Sequence, residues 1–166
     1  MIQSQLYRLL NEAEIPYGIY HHHPSYTSQQ TAQDIHIDSH AFAKTVILRC
    51  HRRELVMVVV PANAILQLRP LARSLEFDEL DLVPEYQLAG LFEQCEPGAM
   101  PPFGHLFNIP TYLSSDLLDQ KQLWFNAGNH QEAIQMNILD YIRLALPRLF
   151  SGGVHYVDVS ARMHHH

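Results

Sequence analysis

The chain has 166 residues, of which 47% are hydrophobic and 17% are charged, and its formal net charge at pH 7 is −6. This length fits one domain with a substantial core, and the acidic balance excludes a broad basic surface of the kind that binds DNA. The longest apolar run, 55–62, is too short to cross a bilayer. The N-terminus lacks a signal-peptide pattern, so we expect a cytoplasmic protein without a membrane partner.

Helices and strands are predicted in alternation along the first half of the chain. Apolar residues at helical spacing predict a helix over 3–14, and a strand is expected over 17–22. Thr27 and Gln30 have the spacing of a capping box, which predicts a helix to about residue 35. Two β-branched runs, 43–50 and 55–60, predict a hairpin that is buried against helices.

The second half of the chain continues the mixed pattern. Helices are predicted at 69–75, 84–94 and 138–146, and short strands at 111–114, 123–126 and 133–137. We therefore expect an α+β fold with a mixed or antiparallel, curved sheet flanked by helices. The expected organisation is a single domain at 1–150 followed by a loosely held C-terminal tail at 151–166.

The stretch GAMPPFG, residues 98–104, is predicted to be a stiff loop. Pro101 and Pro102 fix φ and lack an N–H group, while Gly98 and Gly104 permit positive φ and the close approach of a ligand. The remaining N–H groups of such a loop can bind a carbonyl oxygen or hold a water. The composition also fits a plain connector that buries Phe103.

Two further features are weak signals when each is taken alone. Lys44 is one of the only two lysines and opens the strand KTVIL, although a lysine at a strand entry is commonly just solvated. His130 follows a glycine turn at 127–129, and a lone turn histidine is more often structural than catalytic.

The cysteines and most histidines do not predict a metal or a cofactor. Cys50 and Cys95 have neither a disulfide framework nor zinc-ligand spacing. The triplet 21–23 lies on an extended segment whose side chains alternate, so its members do not converge on one ion. The last three histidines, 164–166, have the pattern of an engineered tail and are therefore not candidates for a functional site.

Taken in order, these motifs resemble the YbaK/EbsC family of aminoacyl-tRNA deacylases, also called the prolyl-tRNA-synthetase-associated editing domain. The likeness extends over about 17–149 of this sequence. Its landmarks are HP at 23–24 with Thr27, TA at 31–32, AKTVIL at 43–48, VVVPAN at 58–63, EQCEPGAMPPFG at 93–104, FNAGNH at 125–130 and MNILDYIRLALP at 136–147.

The resemblance implies that a free-standing domain hydrolyses a mischarged amino acid from the 3′ end of a tRNA. The family lysine falls on Lys44, the GxxxP loop on Gly98 and Pro102, and the GxH turn on Gly128 and His130. The implied catalytic residues are Lys44, Gly98 and His130. The implied substrate-binding residues are His23, Thr45, Ala99, Met100, Pro101, Pro102, Phe103, Gly104, Gly128 and Asn129. The implied partners are the aminoacyl-tRNA acceptor end and an aminoacyl-tRNA synthetase.

This chemistry is physically sensible because an aminoacyl ester is already activated. The enzyme has to position the ester, place a water and stabilise an oxyanion, for which the loop amides are suitable donors. Lys44 suits a phosphate or the ribose-ester end, and His130 can orient the substrate or a water. Covalent catalysis is not expected, because Cys50 lies in mid-strand and Cys95 lacks a sequence-adjacent base.

Two other functions remain open at this point. One is a binding module of the same fold that recognises a small molecule, a peptide, a tRNA end or a synthetase without turnover. The other is a hydrolase of small esters or thioesters. The acidic chain also needs local cations for tRNA, and a patch is expected from the arginines at 49, 52, 53, 69, 73, 143 and 148.

Overall fold

The structure is a computed structural model, and it describes residues 2–24, 27–51 and 53–156. The expectations for residue 52 and for the histidines at 164–166 fall outside the described residues. The helices are α1 (Ile2–Glu12), α2 (Ser28–Asp34), α3 (Leu68–Leu75), α4 (Glu85–Leu91) and α5 (Ile138–Ala145). The strands are β1 (Tyr17–His21), β2 (Ala43–His51), β3 (Glu54–Pro61), β4 (Ala64–Leu66), β5 (Asp81–Leu82), β6 (Thr111–Ser114), β7 (Gln122–Asn126), β8 (Glu132–Asn137), β9 (Arg148–Phe150) and β10 (Val154–Tyr156). Short 3₁₀-helices cover Gly104–Phe107 and Ser115–Asp119.

The described strands form a mixed sheet system. One sheet has the order β5-β2-β3-β6-β9, a second has the order β1-β8-β7, and β4 pairs with β10. β2 and β3 form the predicted antiparallel hairpin, whereas β3 with β6 and β6 with β9 run parallel. A parallel bridge between Phe42 and Trp124 joins the beginning of β2 to β7. The prediction of a single α+β domain with a mixed sheet is confirmed.

The core lies on both faces of the β2–β3 hairpin. Ala43 and Ile47 pack in a cluster with α1, Phe103, Phe125 and Tyr141, whereas Leu48 and the even-numbered valines of β3 pack in a second cluster with α3. This division follows from the alternation of side chains along a strand. Thr45 therefore shares the face of Ala43 and Ile47, and Lys44 lies on the opposite face.

Local sequence signals account for several helix boundaries. Ile2, Leu6 and Leu10 recur every four residues and are fully buried, which fixes the inner face of α1. The backbone N–H of Gln30 donates to Thr27 Oγ1 at 3.0 Å, as the predicted cap of α2 requires. Asn137 caps α5 through its Oδ1, and caps of this kind contribute about 1 kcal/mol.

The prediction for the C-terminal segment is wrong for residues 154–156. These residues form β10, which pairs with β4 and places Val154 opposite Leu66. Gly153 makes the preceding turn possible, because its φ is +75° and an added Cβ would lie 2.6 Å from Leu71 Cα. The predicted helix at 84–94 is also shorter than expected and ends at Leu91. Within the described part of the chain, no helix has the length and apolar character needed to cross a membrane.

Candidate functional site

The Gly98 loop and the turn that carries His130 form one hydrogen-bonded unit. Gly128 N donates to Ala99 O at 2.8 Å, and Glu96 N donates to Gly128 O at 2.9 Å. Gly98 and Gly128 both adopt positive φ, +81° and +103°, which strongly favours glycine at these positions. The structure thus brings together two segments that are about 30 residues apart in the sequence.

His130 is held in a defined orientation by the loop. Its ring Nε2 lies 2.7 Å from Pro97 O, and its backbone N–H donates to Glu96 Oε2 at 3.0 Å. Since a carbonyl oxygen only accepts, this contact assigns the ring proton to Nε2 and leaves Nδ1 as an acceptor. Nδ1 is buried and has no hydrogen-bond partner among the described residues.

Glu96 lies in the site but was not among the residues predicted from the sequence motifs. Its carboxylate accepts from the His130 backbone and also lies 4.0 Å from the ring Nε2. The signal for it was present, because Glu96 lies inside the EQCEPGAMPPFG landmark. Only the folded geometry shows that its side chain bonds to a residue 34 positions away.

The first half of the loop, Gly98–Met100, retains unpaired donors. Ala99 N donates to Glu96 O at 3.0 Å. The N–H groups of Gly98 and Met100, by contrast, have no acceptor in the described part of the chain. Gly98 is exposed beside His130, since a Cβ added to Gly98 would lie 3.7 Å from His130 Cε1. These donors are suitable for a developing oxyanion next to the imidazole.

The second half of the loop, Pro101–Gly104, is anchored in the core. Phe103 is 0% exposed, and its ring centroid lies 5.2 Å from that of Tyr141, whose hydroxyl donates to Pro102 O at 2.6 Å. Gly104 N donates to Thr111 Oγ1 at 2.8 Å, and a Cβ on Gly104 would lie 2.4 Å from Ile109 O. The structure therefore gives Phe103 and Gly104 a packing role, and their substrate contact stays a prediction.

Lys44 is half-buried, and its ammonium already has a hydrogen-bond partner. Its Nζ donates to Ala64 O at 2.5 Å, and burial lowers the pKa of this ammonium below the usual value for lysine. Among the described residues, no hydrogen bond or ion pair joins Lys44 to Gly98 or His130. Thr45, a predicted substrate-binding residue, lies on the opposite face of β2 from Lys44.

The strand bridge shows how Lys44 is placed relative to the turn. Phe42 and Trp124 are paired in parallel, so Lys44 and Asn126 each lie two residues further along neighbouring strands and share a face. Asn126 is followed directly by the turn that carries Gly128 and His130. Lys44 thus opens β2 beside the strand that leads into this turn.

The remaining substrate-binding candidates lie around the same turn. Asn129 Oδ1 accepts from Gln131 N and Glu132 N, both at 2.8 Å, and thereby shapes the turn. His22 N donates to Gln131 O at 2.8 Å, which brings the exposed His23 close to the segment after His130. His23 also lines a surface cavity of about 370 Å³ with the two preceding histidines and Asp34.

The cysteines do not supply a nucleophile. Burial raises the pKa of the Cys95 thiol to about 12, so this thiol stays protonated at neutral pH. Cys50 lies at the other end of β2 from Lys44. There a bulge between Arg49 and His51 brings the Cys50, His51 and Glu54 ligand atoms within 4.8 Å of one another. Sequence spacing had not predicted this cluster.

Four of the arginines that were candidates for a local patch line two different cavities in the described part of the chain. Arg69 and Arg73 line a cavity of about 520 Å³ beside α3, together with Asp78 and Glu79. Arg53 and Arg148 line a different, largely apolar cavity of about 620 Å³. Neither of these two cavities is lined by Lys44, Gly98 or His130.

Comparison with known proteins identifies the family. The model of the aminoacyl-tRNA editing domain matches residues 22–144, so the chain belongs to the aminoacyl-tRNA editing domain family, and the resemblance drawn from the motifs is confirmed. This match supports a role in tRNA editing. A comparison with curated protein sequences returned no match.

Solved structures share the fold at low sequence identity. The hypothetical protein APE2540 has a TM-score of 0.79 at 14% identity, over 91% of this chain and 99% of its own. A proposed trans-editing enzyme for prolyl-tRNA synthetase has a TM-score of 0.72 at 17% identity, over 91% and 97% of the two chains. A scaffold from computational epitope grafting has a TM-score of 0.71 at 19% identity, over 89% and 93%.

Proposed function

We propose that this protein hydrolyses the ester bond between a mischarged amino acid and the 3′ end of a tRNA, acting in trans with water as the nucleophile. The observation that carries the proposal is the hydrogen-bonded unit of the Gly98 loop and the Gly128–His130 turn. In this unit, the unpaired N–H donor of Gly98 lies next to the His130 imidazole, and the Met100 N–H, which also has no acceptor among the described residues, belongs to the same loop.

The proposed reaction needs no covalent intermediate. The attacking water lies beside the exposed Gly98 edge, where the His130 ring orients it, and its oxygen attacks the ester carbonyl carbon. The Gly98 and Met100 amides stabilise the oxyanion, and one such donor contributes about 2.7–4 kcal/mol in other hydrolases. The bond from the carbonyl carbon to the ribose oxygen then breaks. That oxygen takes the proton, and a free amino acid and an uncharged tRNA leave.

Lys44 is proposed to hold the nucleotide end of the substrate. Its ammonium is a compact charge that suits a phosphate or the ribose-ester end of the terminal adenosine. A grip that is limited to the single-stranded acceptor end needs few cations, which agrees with a net charge of −6. The separation of the arginines into two groups also favours a small nucleic-acid footprint.

The direct test is incubation of the purified protein with a panel of tRNAs, each carrying a labelled amino acid, and measurement of the label lost from tRNA. Loss from one or a few members supports the proposal, with Lys44→Ala as the inactive control. Binding of the acceptor end without loss of label identifies a binding module instead. Cleavage of small esters such as p-nitrophenyl acetate, with no aminoacyl-tRNA cleaved, identifies a small-ester hydrolase.

A further inference from the structure

We infer that the side-chain amide of Asn126 binds the aminoacyl group itself, with Oδ1 accepting from the α-ammonium and Nδ2 donating to the ester carbonyl. The inference rests on the proposed function, because it names a recognition element for the same substrate. It assigns a role to a residue that lies in the FNAGNH segment but outside the GxH motif.

The primary observation is a buried polar group without partners. Asn126 is 3% exposed, and neither Oδ1 nor Nδ2 has a hydrogen-bond partner among the described residues. Leaving such a group unpaired in a protein interior is costly, and native structures seldom do so without a reason. Binding of a ligand that pairs with both atoms is one such reason.

The sheet register aims this side chain toward the candidate site. Asn126 lies directly opposite Ala133 on β8, so the two side chains share a face, and Trp124 is on the same face two residues earlier. Ala133 and Trp124 pack against Phe42 and Ala62. Asn126 is therefore on the Lys44 side of the sheet, immediately before the turn that contains His130.

The chemistry of the amide selects the ligand. A primary amide presents one acceptor and one donor side by side, so its full complement is a ligand with a donor and an acceptor on adjacent atoms. An α-aminoacyl ester has this arrangement in its ammonium and its carbonyl.

Other asparagines in the same region show what a structural role looks like. Asn137 Oδ1 accepts from Leu139 N at 2.8 Å and caps α5, and Asn129 Oδ1 accepts from two backbone N–H groups in its turn. These side chains have local partners that explain them. Asn126 has none among the described residues, so Asn137 provides a matched control.

The test compares Asn126→Leu, Asn126→Ala and the control Asn137→Ala on paired substrates. Alanyl-tRNA and seryl-tRNA are each measured beside the α-hydroxyacyl-tRNA made from them by deamination, in which an uncharged hydroxyl replaces the ammonium. Removing a hydrogen bond to a charged group costs about 10- to 100-fold, so the wild type should favour the aminoacyl member by that factor in kcat/KM. Both Asn126 variants should lose this preference, while Asn137→Ala keeps it and lowers the Tm.

The outcomes of this test distinguish a failure of the inference from a failure of the proposed function. If the wild type cleaves the aminoacyl substrates and the Asn126 variants keep the wild-type preference, the inference is wrong and the proposed function stands. If the wild type cleaves neither pair, alanine and serine are not its substrates, and the proposed function rests on the rest of the panel. The inference is then tested by the binding of 3′-alanylamino-3′-deoxyadenosine and its lactyl counterpart, followed by NMR. Equal binding of the two by the wild type overturns the inference, and a preference that Asn126→Leu abolishes supports it.

Discussion

The two halves of the Gly98–Gly104 loop differ in what their backbone groups do. In the first half, the N–H groups of Gly98 and Met100 have no acceptor among the described residues, and Gly98 is exposed beside His130. In the second half, Gly104 N–H is paired, Pro102 O accepts from Tyr141, and Phe103 is fully buried. The contrast shows that one short loop combines an edge with unpaired N–H donors and a buried anchor that holds this edge in place.

Each half therefore predicts a different consequence of mutation. Changes in Gly98–Met100 should lower the rate per folded molecule, because they displace groups that act in the transition state. Changes in Pro101–Gly104 should lower stability, because they disturb packing against Tyr141, Phe125 and Ile109. The predictions below test this division, from the largest expected effect to the smallest.

The largest effect is expected at Lys44, which we propose holds the nucleotide end of the substrate beside the Gly98 half of the loop. Lys44→Ala should abolish deacylation, with a fall of about 1000-fold or more in kcat/KM, because the charge that positions the ester is lost. The Tm should change by about 4 °C or less, since only one hydrogen bond is removed.

Lys121 provides the matched control for this variant, since it is the other lysine of the chain and is exposed. Lys121→Ala should retain the wild-type rate. A Lys44→Ala protein with wild-type turnover would show that Lys44 is only a solvated strand-end residue.

Gly98→Val should lower the single-turnover rate by about 100-fold, because a displaced oxyanion donor costs 2–3 powers of ten in comparable sites. A β-branched side chain at φ +81° both strains the backbone and blocks the approach of the ester beside His130. Substrate binding should weaken much less than turnover.

The control for backbone strain is Gly152→Val. Gly152 is also exposed and has φ +82°. A Cβ added to Gly152 would contact Ser74, which does not belong to the 98–104 loop. The two variants should lose similar stability, and only Gly98→Val should lose rate. Equal single-turnover rates for the two variants would show that Gly98 is only a connector glycine.

Gly104→Ala should have the opposite effect, with a lower Tm and an unchanged rate per folded molecule. Its new Cβ would lie 2.4 Å from Ile109 O, and overpacking of this kind costs about 2–3 kcal/mol of unfolding free energy. The Tm should fall by roughly 6 °C, measured by circular dichroism, while the rate per folded molecule stays at the wild-type value. A normal Tm with a reduced rate would contradict the assignment of this half as an anchor.

The smallest effect is expected from metal removal. The Cys50, His51 and Glu54 cluster lies at the end of β2 that is distant from Lys44, and no step of the proposed reaction uses it. EDTA should therefore leave deacylation unchanged. Activity that is lost on EDTA treatment and restored by zinc would require a different mechanism.

Much of the fold was readable from local patterns. The β-branched runs predicted the β2–β3 hairpin, Thr27 predicted the start of α2, and the apolar spacing before Pro147 predicted α5. These elements carry their signal within a few residues, as caps, periodicity and turn chemistry do. The loop at 98–103 was likewise predicted as irregular from its glycines and prolines.

The remainder depended on contacts between distant segments. β4 and β10 are three residues each and exist because they pair with one another, which no local pattern records. Glu96 and Asn126 acquire their significance only when the loop meets the turn and when Phe42 pairs with Trp124. The faces of Lys44 and Thr45 were also undetermined until the register of β2 against β3 was fixed.

The most direct test of the division within the loop is a side-by-side measurement of Gly98→Val and Gly104→Ala. Single-turnover deacylation of the preferred aminoacyl-tRNA is recorded for each variant at a temperature where both are folded, together with a melting curve. Our account predicts a slow Gly98→Val protein and a Gly104→Ala protein of normal rate but lower Tm. A Gly98→Val protein that is destabilised yet turns over at the wild-type rate would contradict the catalytic role of the loop.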